Sequence, residues 1–509
     1  MLRRAALLPC LLLLACPSTN GGPADVRDAE PLDAPSDGGT DLAAEVDVGP
    51  DVPSDAPSVD VADAPPADVP AEAGDLGDGL DSGDGGAEPG WTCRGPGVAG
   101  HVQLGLAYWT ASAAYGDHLA EPVGRLGAAH VDLARLAAPL PDGIDVVVDL
   151  HWQLFDYAAH TVRGDLAAQL EAVAAAIGDR LHRVRALYLI DEPYIAGHAI
   201  PRAQLEAAIV AVESRFPGVP TYITFAHHCF DPASTDAACV VPPADRGVPA
   251  GLDWAAFDWY NDSNDAATAL RHVATVVRPG VERLAALAPA TRILLVPEAY
   301  TDARRVESTL LLTLYDYFDL AVSDPRVFGV DFFLWADAAA EGFLGLHSLY
   351  FARAAALGFA RQIRRDCGEP PDLVPVTQWY RGDYPDYRYE AWHWSGAAAG
   401  YLPHGVAFAL APAGAPGTAP LYHCLLDRAP AVDSYLTRDA ACDGVATVVP
   451  PTVLGGIHPE GTAGTVALRR YTLSRAPWDH VFTLDPAPLL PADYVFDFAI
   501  GGVFPLAAL

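Results

Sequence analysis

Two glutamates each close a short apolar run. Glu192 ends Leu187-Tyr188-Leu189-Ile190-Asp191-Glu192 and is followed by Pro193; Glu298 ends Leu294-Leu295-Val296-Pro297-Glu298. Two carboxyls held about 5–5.5 Å apart can hydrolyse a glycosidic bond with retention, one protonating the leaving oxygen and the other attacking the anomeric carbon. The acid of such a pair needs a raised pKa, which an apolar wall or a second carboxylate supplies. Asp191 is the sequence neighbour of Glu192; strand alternation points it away, unless it supports Glu192 from behind. Trp109, Trp152, Trp259 and Trp335 all fall near the ends of apolar runs. Aromatic faces stack on sugar rings, although core packing is the ordinary fate of any one of them. Asp262, Asn264 and Asp265 faintly suggest a calcium loop, but its glycine turn and distal glutamate are missing. No Cys/His spacing suggests zinc, so neither metal nor cofactor is expected.

The elements that must position these residues lie between Trp91 and about Asp366. Strand candidates are Val102–Trp109, a weaker Ala129–Arg135, Ile144–His151, Arg185–Glu192, Val219–His227, Leu252–Tyr260, Arg292–Glu298 and Val327–Trp335. Runs such as Ile144-Asp145-Val146-Val147-Val148 suit parallel strands covered on both faces. Between them, Leu166, Leu170, Val173 and Ile177, and again Leu205, Ile209, Val212 and Phe216, recur as one buried helix face. Strand–helix alternation over this length predicts a (β/α)8 TIM barrel, with a doubly wound open sheet as the alternative. Barrel chemistry sits at the carboxyl ends of strands, and by count the two glutamates end the fourth and seventh. One interval is short: a right-handed parallel crossover needs more than the residues between Arg135 and Ile144.

In this order the motifs resemble the retaining glycoside hydrolases of clan A, most nearly family 5. The resemblance implies Glu192 as acid/base and Glu298 as nucleophile. It also implies a sugar-binding lining: His151 in Asp149-Leu150-His151 with Trp152 after it, Tyr260 in Phe257-Asp258-Trp259-Tyr260, Trp335 in Phe332-Phe333-Leu334-Trp335, Arg135 on the second strand and Asp191 beside them, to which Trp109 is added for its place near a strand end. Two positions depart from the pattern: Asp191 stands where the clan has Asn, and Asp258 where the family has His. These departures keep open a barrel that binds glycans without cleaving them. A metal-dependent hydrolase on the same barrel lacks a ligand cluster.

Beyond Pro370-Pro371 the helical pattern stops and a repeat begins. Asp386-Tyr387-Arg388-Tyr389-Glu390, Asp433-Ser434-Tyr435-Leu436-Thr437 and Asp479-His480-Val481-Phe482-Thr483 lie 47 and 46 residues apart. Pro375-Val376, Pro420-Leu421 and Ala467-Leu468 keep the period, and Gly405, Gly456 and Gly502 are expected to close the three units. Three all-β units of this size predict a β-trefoil; a propeller needs more. The repeats resemble a bacterial extracellular family with Pro-Leu-Tyr-Arg, Asp-His-x-Tyr-Thr and Gly-Tyr-Val elements, which implies a carbohydrate-binding role.

At the other end, Arg3 and Arg4 precede the apolar run Leu11 to Leu14, and Cys16 follows Ala15. This looks like a bacterial lipoprotein signal, with residues 1–15 removed and Cys16 lipidated; an ordinary secretory signal is the alternative. Residues 17–90 carry nineteen acidic residues against Arg27, more than half of the net charge of −34, and no aromatic residue. Such a segment cannot bury enough apolar surface to order itself, so residues 16–90 are expected to be a disordered spacer. Its reach as a flexible coil is roughly 50 Å. The expected organisation is therefore an anchor, a spacer, a barrel over 91–368 and a trefoil-like domain over 373–509. The protein would be exported, lipid-anchored at the bacterial outer membrane or cell surface, monomeric, and engaged with a glycan. The acidic body excludes nucleic acid, which needs basic patches. Six further cysteines suit an exported protein. Spacing suggests Cys229–Cys239, Cys424–Cys442 and Cys93–Cys367, with other pairings open.

Overall fold

A computed structural model describes residues 104–509, apart from 113–115, 118–127, 142–144, 227, 262–263, 303–304, 340–341, 367, 369, 382–385, 393–399, 429–430, 475–479 and 485–493. Cys16, the segment 16–90, Cys93 and Cys367 lie outside the described residues, as does the side chain of Trp109.

Eight parallel strands form a closed ring. They are β1 (Leu104–Ser112), β2 (Ala128–Val131), β3 (Asp145–Asp149), β4 (Val184–Asp191), β5 (Thr221–Ala226), β6 (Trp254–Asp258), β7 (Arg292–Leu295) and β8 (Val327–Phe332). Each pairs with the next, and β8 returns to β1 with Leu104 opposite Gly329 and Ala107 opposite Phe332. Closure removes the edges that an open doubly wound sheet would expose, which sets that alternative aside.

Burial explains why these runs became strands. Val146, Val147 and Val148 are all fully buried, because one face points into the barrel and the other against helices. Each such side chain contributes about 1.5–3 kcal/mol. Alternate residues fill the interior: Ala186 and Tyr188 from β4, Trp254 and Ala256 from β6, Leu294 from β7 and Val296 just after it. The outer layer includes α2 (Leu166–Ile177), which buries Leu170, Val173 and Ile177, and α3 (Arg202–Arg215), which buries Leu205, Ile209 and Val212.

The expected second strand is shorter than its sequence suggested. It ends at Val131, and Asp132 then caps a one-turn helix, α1 (Leu133–Leu136), by accepting from the Arg135 amide at 2.8 Å. The earlier stop frees residues 132–144 for the crossover, which resolves the short interval. Among its described residues, the β5–β6 connection contains only a short 3-10 turn, Pro243–Asp245, and it is stapled by Cys229–Cys239. Asp265 accepts from the Thr268 amide at the start of the helix Ala266–His272, and the Asn264 side chain accepts from the Val306 amide. Asn264 and Asp265 of the faint calcium motif thus have structural work, and Asp262 lies outside the described residues.

Among the described residues of 374–503 the regular elements are strands, apart from one 3-10 turn at Cys442–Gly444. Three three-stranded antiparallel sheets follow one another: β9 (Val374–Arg381), β10 (Asp386–Ala391) and β11 (Leu402–Leu410); β12 (Ala419–Arg428), β13 (Ala431–Thr437) and β14 (Thr452–Ile457); β15 (Val466–Leu473), β16 (His480–Thr483) and β17 (Tyr494–Val503). Bridges Ala411–Gly456, His458–Gly502 and Phe504–Ala409 join each sheet to the next in a cycle. These bridges correct the repeat register. Gly456 and Gly502 correspond to Ala409, not Gly405, since Val376, Leu421 and Leu468 pair with Phe408, Gly455 and Gly501. A Cβ on Gly501 would meet the His458 carbonyl oxygen at 2.6 Å, so that position needs glycine. The disulfide Cys424–Cys442 lies in this region's core. Tyr315 of the barrel helix Glu307–Ser323 bonds Thr377 at 3.0 Å and meets the Trp379 ring edge-on, and Arg361 bonds the Leu509 carbonyl. The first β sheet is therefore fastened to the barrel by buried contacts.

Candidate active site

Glu192 follows β4 directly, and its backbone is bent into the left-handed region at φ +44°. That conformation is uncommon for a residue with a long side chain and costs of order 1 kcal/mol or more. Three hydrogen bonds hold it: its amide donates to Thr224 O at 2.8 Å, and its carbonyl accepts from the Ile195 amide and from His198 Nδ1. One turn earlier, β4 slips against β5, where Tyr188 faces Tyr222 but Ile190 faces Ile223. This bulge breaks the two-residue alternation. Asp191 therefore lies on the same side as the interior residue Tyr188, whose hydroxyl donates to Asp191 Oδ1 at 2.7 Å. The sequence expectation that Asp191 points away is corrected by the bulge.

Asp258 ends β6, and its carboxyl and that of Asp191 are near enough to act electrostatically on the Glu192 carboxyl. Burial, then the charges of Asp258 and Asp191, push the Glu192 carboxyl well above the usual range. Asp258, only 7% exposed, is itself pushed to about 7 by burial and by Asp191. Burial also raises Asp191. Three carboxyls crowded together out of water cannot all ionise at neutral pH.

Next to them, His151 Nδ1 lies 2.9 Å from Asp149 Oδ1. Burial pulls His151 down, but Asp149 and Asp191 outweigh it and hold the ring above its usual value. Burial pushes Asp149 up, yet His151 more than offsets this and keeps it low. His151 opens a short helical turn after β3 rather than ending the strand. Trp152, 62% exposed, tilts against His151 at 4.8 Å and meets Tyr157 edge-on at 5.0 Å. Tyr157 in turn lies 5.0 Å from His198, whose pKa burial lowers. The result is an aromatic wall beside the carboxyls with an indole facing solvent.

Glu298 is placed otherwise. It follows β7, bridges to Phe333 beyond β8, and is 1% exposed. Its carboxylate forms an ion pair with Arg305 and accepts from the Asn261 amide at 2.9 Å. Tyr260 stacks on Phe333 and meets Tyr300 edge-on, forming an apolar shoulder next to this pair.

Two expected lining residues are elsewhere. Trp335 is 0% exposed and belongs to the core between barrel and helices, since the chain turns outward after Phe332. Arg135 lies in α1 and donates to the Pro139 carbonyl at 3.0 Å, because β2 stops four residues before it. The polar β2 residue that reaches the interior, beside Ala128, is His130, 2.9 Å from Asp331 Oδ2, which also accepts from the Tyr222 hydroxyl. Sequence reading missed Asp258 as a partner of Glu192, and missed Tyr157, His198 and the His130–Asp331 pair. Only Asp258 carried a signal, as a carboxyl at the end of a strand.

A groove of about 1210 Å³ opens at the opposite end of the barrel, where Val184, Pro220, Trp254 and Arg292 begin or precede their strands. It contains none of the clustered carboxyls, and the carboxyl ends of the strands remain the candidate site. No group of His, Cys, Asp and Glu able to hold a metal occurs among the described residues.

No protein family and no curated protein matches the sequence. Among solved structures, the chain is similar to an endo-β-1,3-glucanase of Amycolatopsis mediterranei in complex with laminaritriose, at 15% identity over 46% of this chain and 89% of that one, TM-score 0.31. It is also similar to an intracellular xylanase of Thermoanaerobacterium saccharolyticum, at 10% identity over 46% and 86%, TM-score 0.29. A xylanase of Cellvibrio japonicus matches at 12% identity over 46% and 86%, TM-score 0.30. Scores this low carry no inference about activity, and the barrel stands on its own closed ladder of strands.

Proposed function

We propose that the chain is a surface-anchored retaining glycoside hydrolase acting on an extracellular polysaccharide, with the β region as a carbohydrate-binding β-trefoil. The observation that carries this reading is Glu192: a carboxyl at the end of β4 that burial and the charges of Asp258 and Asp191 push well above its usual range, at one end of an aromatic row running through His198 and Tyr157 to the exposed Trp152. A protonated carboxyl in a cleft can give its proton to a glycosidic oxygen as the bond breaks. Trp152 offers an indole face for a sugar ring, and His151 and Asp149 offer polar contacts next to it. In the first step Glu192 protonates the leaving oxygen while Glu298 attacks the anomeric carbon. In the second, Glu192 takes a proton from water, which displaces Glu298 and releases the sugar. Attack by Glu298 requires Arg305 to move aside, because the carboxylate is closed to solvent in its ion pair.

The cyclic bridging of three three-stranded sheets supports the trefoil reading. The acidic spacer 16–90 and the Cys16 anchor would hold both domains away from a membrane, within reach of a polymer.

The test uses purified protein on a panel of β-1,3-glucan, xylan and β-1,4-galactan, with the first-formed anomer read by proton NMR. Retention is expected, with activity lost in Glu298→Gln. An inverted product, or full activity in that variant, contradicts the assignment. The buried Glu298–Arg305 pair also favours a second reading, a barrel that binds glycans without turnover. Glycan binding with no release of reducing ends across a broad panel would establish it.

A further inference from the structure

We infer that His198 is a positioning residue for the Glu192 acid: its ring pins the Glu192 carbonyl, and with it the left-handed bend that aims the carboxyl. As a statement about the backbone, this stands without catalysis; as a statement about rate, it rests on Glu192 acting as the acid proposed above.

The bend needs a pin because two local preferences oppose it. A long side chain disfavours a positive φ, and Glu192 sits at +44°. Pro193 follows, and a residue before proline is driven toward extended backbone. Such a conformation persists only where its surroundings hold it. Of the three hydrogen bonds on the Glu192 backbone, two are ones that any residue would make here. The Glu192 amide donates to the Thr224 carbonyl on β5 at 2.8 Å, and the Ile195 amide reaches the Glu192 carbonyl at 3.3 Å, just past the usual range. The third comes from a side chain, His198 Nδ1, at 3.1 Å. A carbonyl only accepts, so the ring presents its Nδ1–H.

His198 is itself held from two sides. After Glu192 the chain folds back: the His198 and Ala199 amides both donate to the Ile195 carbonyl, at 3.1 and 2.8 Å, and the Ile200 amide donates to the Pro193 carbonyl at 2.8 Å. From the side of β3 comes a hairpin in which Phe155–Asp156 pairs with Thr161–Val162. His160 in its turn donates through Nδ1 to the His198 carbonyl at 2.8 Å, and Tyr157 packs on the His198 ring at 5.0 Å. Ala199 and His160 are left-handed too, at φ +51° and +54°. With Glu192 they are the only non-glycine residues of the barrel with positive φ among the described residues, and all three adjoin or bond His198. Strain gathered around one side chain marks a place where the fold spends stability on position. The His198 ring thus stands between the backbone of the acid and the aromatic row. Trp152 keeps separate support from His151 at 4.8 Å, so losing the His198 donor should disturb the acid and leave the sugar platform in place.

Two substitutions separate the pin from the packing. His198→Asn leaves a donor close to where Nδ1 stands, whereas His198→Phe keeps a ring against Tyr157 and loses the donor. In the full-length protein, hydrogen exchange at the Glu192 amide should quicken in His198→Phe and stay near wild type in His198→Asn. Turnover is read on two substrates of the same sugar: a fragment of a polysaccharide, and a dinitrophenyl glycoside whose leaving group departs without a proton. On the fragment, kcat/KM should fall on the order of 10²-fold in His198→Phe, the cost of a misplaced acid, and recover in His198→Asn. On the dinitrophenyl glycoside it should be nearly unchanged in both. Wild-type exchange in His198→Phe overturns the inference. An equal fall on both substrates also overturns it, since a merely structural role affects both alike. Exchange that follows the donor, in a protein that cleaves neither substrate, supports the hold on the bend and contradicts the hydrolase.

Discussion

The barrel mouth and the β region both bury ionisable groups, but they satisfy them in opposite ways. In the β region, each group meets a hydrogen-bonding partner: Asp433 lies 2.6 Å from His480, and His423 bonds Ser434 at 2.7 Å. Burial pushes the His423 ring down to about 3, so it remains neutral and the pair is an ordinary hydrogen bond sealed from water. At the mouth, likes meet: Asp191, Glu192 and Asp258 lie together, around a residue with a strained backbone. Complementary burial stabilises a fold, while like-charge burial costs stability and persists where the arrangement is used. The contrast supports the proposal of an active site in the barrel, with complementary pairs serving the architecture of the β core, where His423 and Ser434 are buried.

The largest effect that sharpens this contrast should come from the β region's covalent link. Replacing Cys424 and Cys442 together with serine is expected to cost about 2–4 kcal/mol in chemical denaturation. Glycan turnover in the surviving folded fraction should not change. Asp433→Leu should cost about 1–3 kcal/mol, since it leaves His480 buried without its partner. A variant as stable as wild type would show that the β core is not held by complementary pairs.

Stability should respond to pH in the opposite sense at the mouth. Asp258 has its folded pKa raised from 3.8 to about 7. A raised folded value contributes stability that is complete below the unfolded pKa and is lost as pH rises through about 7. Asp258→Asn should therefore melt higher than wild type at pH 8 and show no gain at pH 4. Asp316, pushed to about 7 by burial and by Asp319, acts in the same direction, so Asp316→Asn serves as the comparison outside the mouth. Both substitutions should raise the melting temperature at pH 8, and a double variant whose gain departs from the sum would show the two sites to be coupled. The smallest effect belongs to Trp152→Ala. Losing an exposed stacking face of about 1 kcal/mol should raise KM several-fold and leave the melting temperature unchanged.

Much of this arrangement could be read from residues alone. Strand order put Glu192 and Glu298 at the ends of β4 and β7, and the apolar runs of β3, β4 and β7 identified those strands directly. Side-chain direction was harder, because a one-residue slip reverses every face of a strand. The bulge in β4 turned Asp191 inward, and the early stop of β2 removed Arg135 from the barrel and left His130 in it. Trp335 looked like a cleft residue by its motif, but the chain leaves the barrel after Phe332 and buries it. Asp258 looked like a lost function because sequence shows residue types, and the meaning of a carboxyl depends on the carboxyl it faces. In the β region the period was legible in the hydrophobic pairs, whereas Gly405 misled because unit one has Phe408-Ala409 where units two and three have paired glycines.

The central claim is that Glu192 is a protonated acid that breaks glycosidic bonds. Reducing-end release by wild type and Glu192→Gln, measured side by side on a polysaccharide that wild type cleaves, tests it most directly. The account predicts a fall of about 10²–10⁴-fold in kcat for the variant, with the fold and glycan binding retained. Equal rates for the two proteins would contradict it.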